Sequence, residues 1–225
     1  ALTRRCTREP LQHIIGHAWF GPLELAVGPG VFVPRPETEA LLEWALAQAQ
    51  RTSPAVAVDL CSGSGALAIA LAHELPNVRV HALEVSDEAL VWLRRNVSAQ
   101  PADIAGRIIV QQVDVTDRDA VVAAVGASTA GLIVSNPPYI PAGAAGGLDP
   151  EVREHDPPAA LFGGSDGMSV IEPMAVAIAA ITRPSAPVAI EHDDTTGDRV
   201  AAVLHATGFD DVVGRTDLAG RPRFV

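Results

Sequence analysis

The chain has 225 residues, 48% of them hydrophobic but only 4% aromatic, and a formal net charge of −11. That length suits one large α/β domain, or a domain with a small appendage, whose core is filled mainly by Ala, Val, Leu and Ile. The negative charge and the scattered arginines weigh against an extended nucleic-acid surface; two cysteines, Cys6 and Cys61, form no CxxC pair, exclude a zinc-type spacing and suit a reduced, cytoplasmic setting.

In chain order, residues 1–16, ALTRRCTREPLQHIIG, read as the tail of a helix running into a loop, so a segment upstream is expected to be missing. Residues 11–34 alternate short apolar stretches with Gly and Pro, which predicts a small β-hairpin before the main domain. This divides the chain into a linker and hairpin, 1–33, and a catalytic domain, 34–225. In PETEALLEWALAQAQ, Leu42, Ala45, Leu46 and Ala49 recur at helical spacing, and Glu37 and Glu39 place negative charge in the first turn, where the helix dipole favours it. Further helices are predicted over 65–75, over 86–100 with Ser86 or Asp87 as N-cap, over 169–182 with Pro173 in the first turn, and over 196–209, stopped by Gly208. The apolar run MAVAIAAI in the helix over 169–182 is far too short to span a bilayer, and no membrane partner is expected.

Five β-branched runs lie between the helices: 55–60, 78–85, 108–115, 131–136 and 187–193. Near-continuous apolar runs of this length suit strands buried on both faces. Strand and helix in alternation predict an open, mostly parallel sheet with helices on both faces, which binds ligands beyond the carboxyl ends of its strands. Residues 140–168, rich in Gly, Pro and Ala, read as one long loop, a length usually tied to function or mobility.

The strand ends carry the chemistry. The first runs into VDLCSGSGALAIA, where Gly63 and Gly65 let the backbone turn sharply and approach a ligand. Gly63, Gly65 and Ala68 also satisfy G-x-G-x-x-A, though a tight strand-to-helix turn accounts for them equally well. Glu84 ends the second strand roughly 20 residues on, where an acid accepts hydrogen bonds from both ribose hydroxyls of a nucleoside cofactor. Asp114 ends the third strand, within reach of an adenine amino group, with Val115 against the ring; an exposed acid before a helix is the other reading. An NAD enzyme and an S-adenosylmethionine enzyme would share all of these signals.

The fourth strand separates them. It ends in VSNPPYIP, where prolines fix the backbone around Asn136. A planar NH₂ group could be held by the Asn136 side-chain oxygen and a carbonyl of this turn, with Tyr139 packed on its flat face. Such a grip would aim the nitrogen lone pair at a methyl donor, and orientation of this kind supplies about 7–11 kcal/mol of barrier.

With these residues in place, VPRPETE, DLCSGSG, SNPPYIP, EVREHDPPAALFGGSDGM and DLAGRPRFV together resemble the HemK/PrmC methyltransferases, and the similarity runs from EPLQHIIG to the end. The resemblance implies a Rossmann-like class I fold, with a mostly parallel seven-stranded sheet, that uses S-adenosylmethionine and releases S-adenosylhomocysteine. It implies methylation of the glutamine amide in the GGQ motif of peptide chain release factors, with these factors as protein partners. It places the cofactor's methionine part against Asp59 and the loop Cys61, Ser62, Gly63, Ser64 and Gly65. Its ribose falls to Glu84 with Val85 alongside, and its adenine to Asp114 and Val115. Asn136, Pro137, Pro138 and Tyr139 would hold the substrate amide, and Phe32 would wall that side. Cys61 stands where the family usually has Gly, so its backbone must adopt an angle that a side chain tolerates. An N-terminal helical domain that the family carries is almost wholly missing.

Other readings stay open from the residues alone: an N-methyltransferase of an exocyclic amine in DNA or RNA, or an NAD-dependent oxidoreductase. His13 and His17, four apart with Gly16 between them, read as loop or hairpin residues, and no metal is assigned. Glu191, His192, Asp193 and Asp194 read as a solvated strand end. Cys61 near a helix N-terminus could have a lowered pKa, although a structural role fits methyl transfer better.

Overall fold

A computed structural model describes residues 1–225 and gathers the five apolar runs into a single parallel sheet. The N-terminal part holds α1 (Leu2–Cys6), α2 (Leu11–Ile15) and the strands β1 (His17–Phe20) and β2 (Leu23–Ala26). Then come α3 (Glu37–Thr52), β3 (Val56–Leu60), α4 (Ala66–Glu74), β4 (Arg79–Glu84), α5 (Asp87–Ser98), α6 (Ala102–Ala105), β5 (Ile108–Gln112), α7 (Arg118–Val125) and β6 (Leu132–Ser135). A strap with a 3₁₀ turn, α8 (Pro150–His155) and α9 (Pro158–Leu161) leads to α10 (Ile171–Ile181) and β7 (Val188–Ile190). The chain closes with α11 (Gly197–Ala206), β8 (Arg215–Thr216) and β9 (Pro222–Phe224). No helix is long and apolar enough to cross a membrane.

The strand order is β5-β4-β3-β6-β7, all parallel. The chain leaves β3 for β4 on one side and returns to β6 on the other, so a crevice opens beyond the ends of β3 and β6. Their register pairs Leu60 with Ser135, and the Ser135 hydroxyl donates to the Leu60 carbonyl at 2.8 Å. The glycine loop after Leu60 and the proline turn after Ser135 therefore start side by side.

The sheet has five strands where seven are expected. The other two, β8 and β9, form an antiparallel ribbon of their own, joined to the β7 edge by a bridge between Glu191 and Phe224. β7 is only three residues long and β9 opens on Pro222, which has no N–H to donate; pairing with the β7 edge is carried instead by the last residues, where Ile190 and Val225 exchange backbone hydrogen bonds at 2.9 and 3.1 Å. The bridge still brings Arg223 beside the end of β7, where the His192 amide donates to its carbonyl.

Core residues of α3, α4 and α5 cover one face of the sheet, and those of α7, α10 and α11 the other. The predicted hairpin forms from β1 and β2, and its Phe20 and Leu25 are buried in the first of these cores. Each such side chain, fully buried, contributes about 1.5–3 kcal/mol. Asn96 of α5 ties the hairpin to the glycine loop, exchanging hydrogen bonds with the Ala26 backbone and donating to the Ser64 carbonyl at 2.9 Å.

The buried stripe of α3 is displaced from its sequence reading. It runs through Thr38, Leu41, Ala45 and Ala49, with Leu42 and Leu46 at its flank. A helix that packs on both a sheet and a hairpin turns its smaller residues inward, and that turn carries the Thr38 hydroxyl to the core side. The stretch 140–168 is also more ordered in form than one long loop. Ile140 bridges Phe162, and two of its glycines press against the proline turn.

Those glycines lead to a first expected outcome. A Cβ on Gly167, whose φ is +81°, would stand 2.3 Å from the Tyr139 carbonyl oxygen, so something must shift. Gly167→Ala should cost about 1–3 kcal/mol of stability through overpacking. It should also lower turnover by moving Tyr139, with cofactor affinity kept. Thermal denaturation with parallel turnover and calorimetric measurements checks both halves.

Candidate active site

The glycine loop reverses the chain between β3 and α4 through three positive φ angles: Cys61 at 63°, Gly63 at 55° and Gly65 at 90°. Cys61 thus adopts the left-handed angle its replacement of glycine demanded. Its thiol is pushed up in pKa by burial and by the nearby Glu84 and Asp59 carboxylates, the opposite of activation by a helix terminus. The space where a Gly63 Cβ would sit is open, so backbone there faces an unfilled crevice; at Gly65 a Cβ would meet Leu93 at 2.6 Å.

Asp59 is buried at the floor of this crevice. Its Oδ2 accepts from the Ala68 amide at 3.0 Å, but its buried Oδ1 has no partner. Burial pushes its pKa up to about 7. A cationic group entering from the crevice would satisfy that oxygen and restore the ionised form. The ammonium of an amino-acid-bearing cofactor fits this donor set. Asp59 lines a cavity of about 50 Å³ together with Phe32, Thr38, Cys61, Ser62 and Asn136. That is room for a few water-sized groups.

Glu84 ends β4 beside the loop. Its Oε2 accepts from Gly63 at 2.8 Å, and its Oε1 accepts from Val85 at 2.9 Å and Ser86 at 2.8 Å. A carboxylate has about four acceptor positions, so the sequence reading of two ribose hydroxyls is narrowed to about one, and Glu84 also fixes the loop. Val85 is exposed next to it and offers an apolar rim. Asp114 is exposed, with Oδ1 taken by the Thr116 amide and hydroxyl. Val115, next to it, is buried and belongs to the core cluster that holds Val121 and Val125.

A second cavity of about 320 Å³ adjoins the first, lined among others by Phe32, Asn136, Pro137, Tyr139, Glu191 and Arg223. Phe32, Arg35 and Asn136 line both cavities. Pro138 does not line either; its carbonyl faces Gly163, where a Cβ would come within 2.6 Å. Arg35 stacks over the Phe32 ring at 4.8 Å and pairs with the buried Asp156 of the strap. Asp156 has a pKa of about 6, raised by burial, which the Arg35 charge partly opposes.

The strand-end acid Glu191, read as solvated, is buried in this second site. The Thr38 hydroxyl donates to its Oε2 at 2.8 Å and the Tyr139 hydroxyl to its Oε1 at 3.0 Å. Asn136 donates its Nδ2 to Thr38 at 3.1 Å. Burial and the Glu191 charge keep the Tyr139 phenol protonated. Thr38, Arg35 and Arg223 were not singled out from sequence either. The only sequence signal for Thr38 is its place in VPRPETE, in the first turn of a helix whose buried stripe is displaced from its sequence reading. His13 and His17 do not share a helix face: Gly16, at φ +84°, ends α2 between them.

Residues 27–146 match the family described as Methyltransferase small domain. Over 98% of its length the chain is 53% identical to the release factor glutamine methyltransferase of Mycolicibacterium smegmatis, spanning 75% of that protein. It is 39% identical over 91% of its length to the 4-amino-L-phenylalanine/4-methylamino-L-phenylalanine methyltransferase of Streptomyces pristinaespiralis, covering 68% of it. In fold it is similar to the ribosomal protein L11 methylase of Lactobacillus delbrueckii subsp. bulgaricus, with a TM-score of 0.57 at 21% identity over 88% of this chain and 81% of that one.

Proposed function

The chain belongs to the small-domain methyltransferases and, among them, to the release factor glutamine methyltransferase family; from that membership we propose which of its residues present the GGQ glutamine of a release factor to the methyl donor. It is an S-adenosylmethionine-dependent protein-glutamine N-methyltransferase whose substrates are peptide chain release factors. The observation that carries the assignment of residues is the place of Asn136. It lines both cavities, and its Nδ2 donates one hydrogen to Thr38 while its Oδ1 has no protein partner.

S-adenosylmethionine supplies the methyl group as an electrophile on sulfur. The chain does the rest. Asp59 and the loop Cys61–Gly65 hold the amino-acid end of the donor, Glu84 the ribose side, and Val85 and Asp114 the rim. In the larger cavity Asn136 Oδ1 accepts one N–H of the substrate carboxamide, and the Pro137 carbonyl accepts the other. Both hydrogens then lie in the amide plane, and the nitrogen faces the smaller cavity. An amide nitrogen is a poor nucleophile, so holding it in line is the main contribution, of about 7–11 kcal/mol. Phe32 and Tyr139 wall the substrate stem. The surplus proton departs to solvent after transfer.

Incubating the chain with a release factor and S-adenosylmethionine should add the mass of one methylene group to the peptide containing the GGQ glutamine. A parallel arm with 4-amino-L-phenylalanine tests the arylamine reading that one relative suggests. Methylation of the arylamine alone would overturn the protein-substrate assignment.

A further inference from the structure

The hydrogen bonds behind Asn136 run in one direction only. A carboxylate has no proton to give, so the Thr38 hydroxyl must donate its single hydrogen to Glu191. Thr38 then has only lone pairs to offer Asn136, and the Asn136 amide must turn its NH₂ toward Thr38. Its carbonyl oxygen is left facing the cavity. The Tyr139 hydroxyl, also donating to Glu191, takes the other carboxylate oxygen and keeps the acid from turning. The three partners come from the start of α3, the turn after β6 and the residue after β7, so the direction is set by tertiary contact alone.

We propose that Glu191 and Thr38 are positioning residues that set which end of the Asn136 carboxamide meets the substrate, so that the site accepts from an NH₂ group and rejects groups that only accept. The proposal rests on the substrate reading above but concerns how this chain selects its acceptor. Glu191 acts only through Thr38. The charged and titratable groups around its carboxylate are Tyr139, Arg223 and Glu37. Of these, Arg223 is held by Asp217 at 3.0 Å and Tyr139 stays protonated. Protonation of Glu191 would let it donate to Thr38, free the Thr38 hydrogen for Asn136 Oδ1, and reverse the amide. Burial raises the pKa of this acid. Turnover should therefore fall as pH drops through a value above the ordinary carboxylate range.

The test uses Glu191→Gln, Thr38→Val and Thr38→Ser. Glu191→Gln can present an NH₂ group to Thr38, and Thr38→Val keeps the shape but removes the relay. Both should lose about 100-fold in kcat, the size of effect expected from misplacing a substrate-holding group, with little change in the dissociation constant for S-adenosylmethionine. Thr38→Ser should restore most of the turnover lost in Thr38→Val. The residual rate of Glu191→Gln should lack the acidic limb seen in the wild type. Independently of any substrate, the Asn136 side-chain amide protons, followed by NMR, should show a bonded donor in the wild type that is lost in Thr38→Val. Wild-type kcat in Glu191→Gln and Thr38→Val, or an Asn136 signal indifferent to Thr38→Val, would overturn the proposal. If release factor is left unmodified while the Asn136 signal responds to Thr38→Val, the substrate reading fails and the positioning network stands.

Discussion

Asn136→Ala should abolish most turnover, by about 10²–10³-fold, the range seen when one preorganised hydrogen-bonding group is removed from a reacting centre. The expected loss is in kcat. Asn136 lines the larger cavity through a side chain whose free oxygen is its only exposed acceptor there. Truncation leaves the proline backbone and both cavities in place, so S-adenosylmethionine should bind within a few fold of its wild-type affinity. It also leaves Thr38 with one partner fewer, but Thr38 keeps its bond to Glu191. Single-turnover kinetics with calorimetry on the same preparation separate these effects. A variant that turned over at the wild-type rate would remove Asn136 from the chemistry, and a variant that failed to bind the donor would move it to the cofactor side.

Asp59→Asn should do the reverse in the other half of the site. The buried, unpartnered Oδ1 is a costly feature for the free protein. The carboxyl's pKa moves from 3.8 to about 7 on folding. The unfolded chain ionises above the lower value, while the folded one resists until the higher. Stability from this group is therefore full below about pH 4 and is lost as pH rises through about 7. The span corresponds to up to about 4 kcal/mol. The neutral variant escapes that loss, so its advantage over the wild type should be absent near pH 4, grow with pH and level off above 7. The same change removes the anion that meets the donor's ammonium. Leaving one member of a buried ion pair alone costs about 3–5 kcal/mol, which is at least 100-fold in affinity. Melting curves across pH, with and without S-adenosylmethionine, test both effects. The wild type should be raised by the ligand, and the variant should start higher and gain nothing. A variant that bound the donor normally would refute the ammonium site.

Much of this was legible because its causes are local. β-branched runs and helical spacing predict the five strands and the main helices. Ser86 caps α5 as expected, accepting from the Ala89 amide. The departures also have particular causes. Val115 follows an exposed strand-end acid, yet it is buried in the core cluster that also takes in Val121 and Val125 of α7. Pro138 belongs to the quoted turn, yet only one side of that turn meets the cavity. Glu191 sits in a run of acids and looks solvated until its hydroxyl partners are brought to it.

The amino-acid sequence by itself determined the parallel α/β plan, the left-handed glycine loop, the stiff turn around Asn136 and the kinship that carries the activity. All of these depend on backbone angles and periodicities within a few neighbouring residues. Which residues stand behind Asn136 was decided only by tertiary structure. Thr38 meets Glu191 across 153 positions and Asn136 across 98, because β7 lies beside β6 and α3 packs against β6. Strand order and helix rotation are settled by the joint burial of distant apolar faces, and no local pattern encodes which polar group that burial places opposite another.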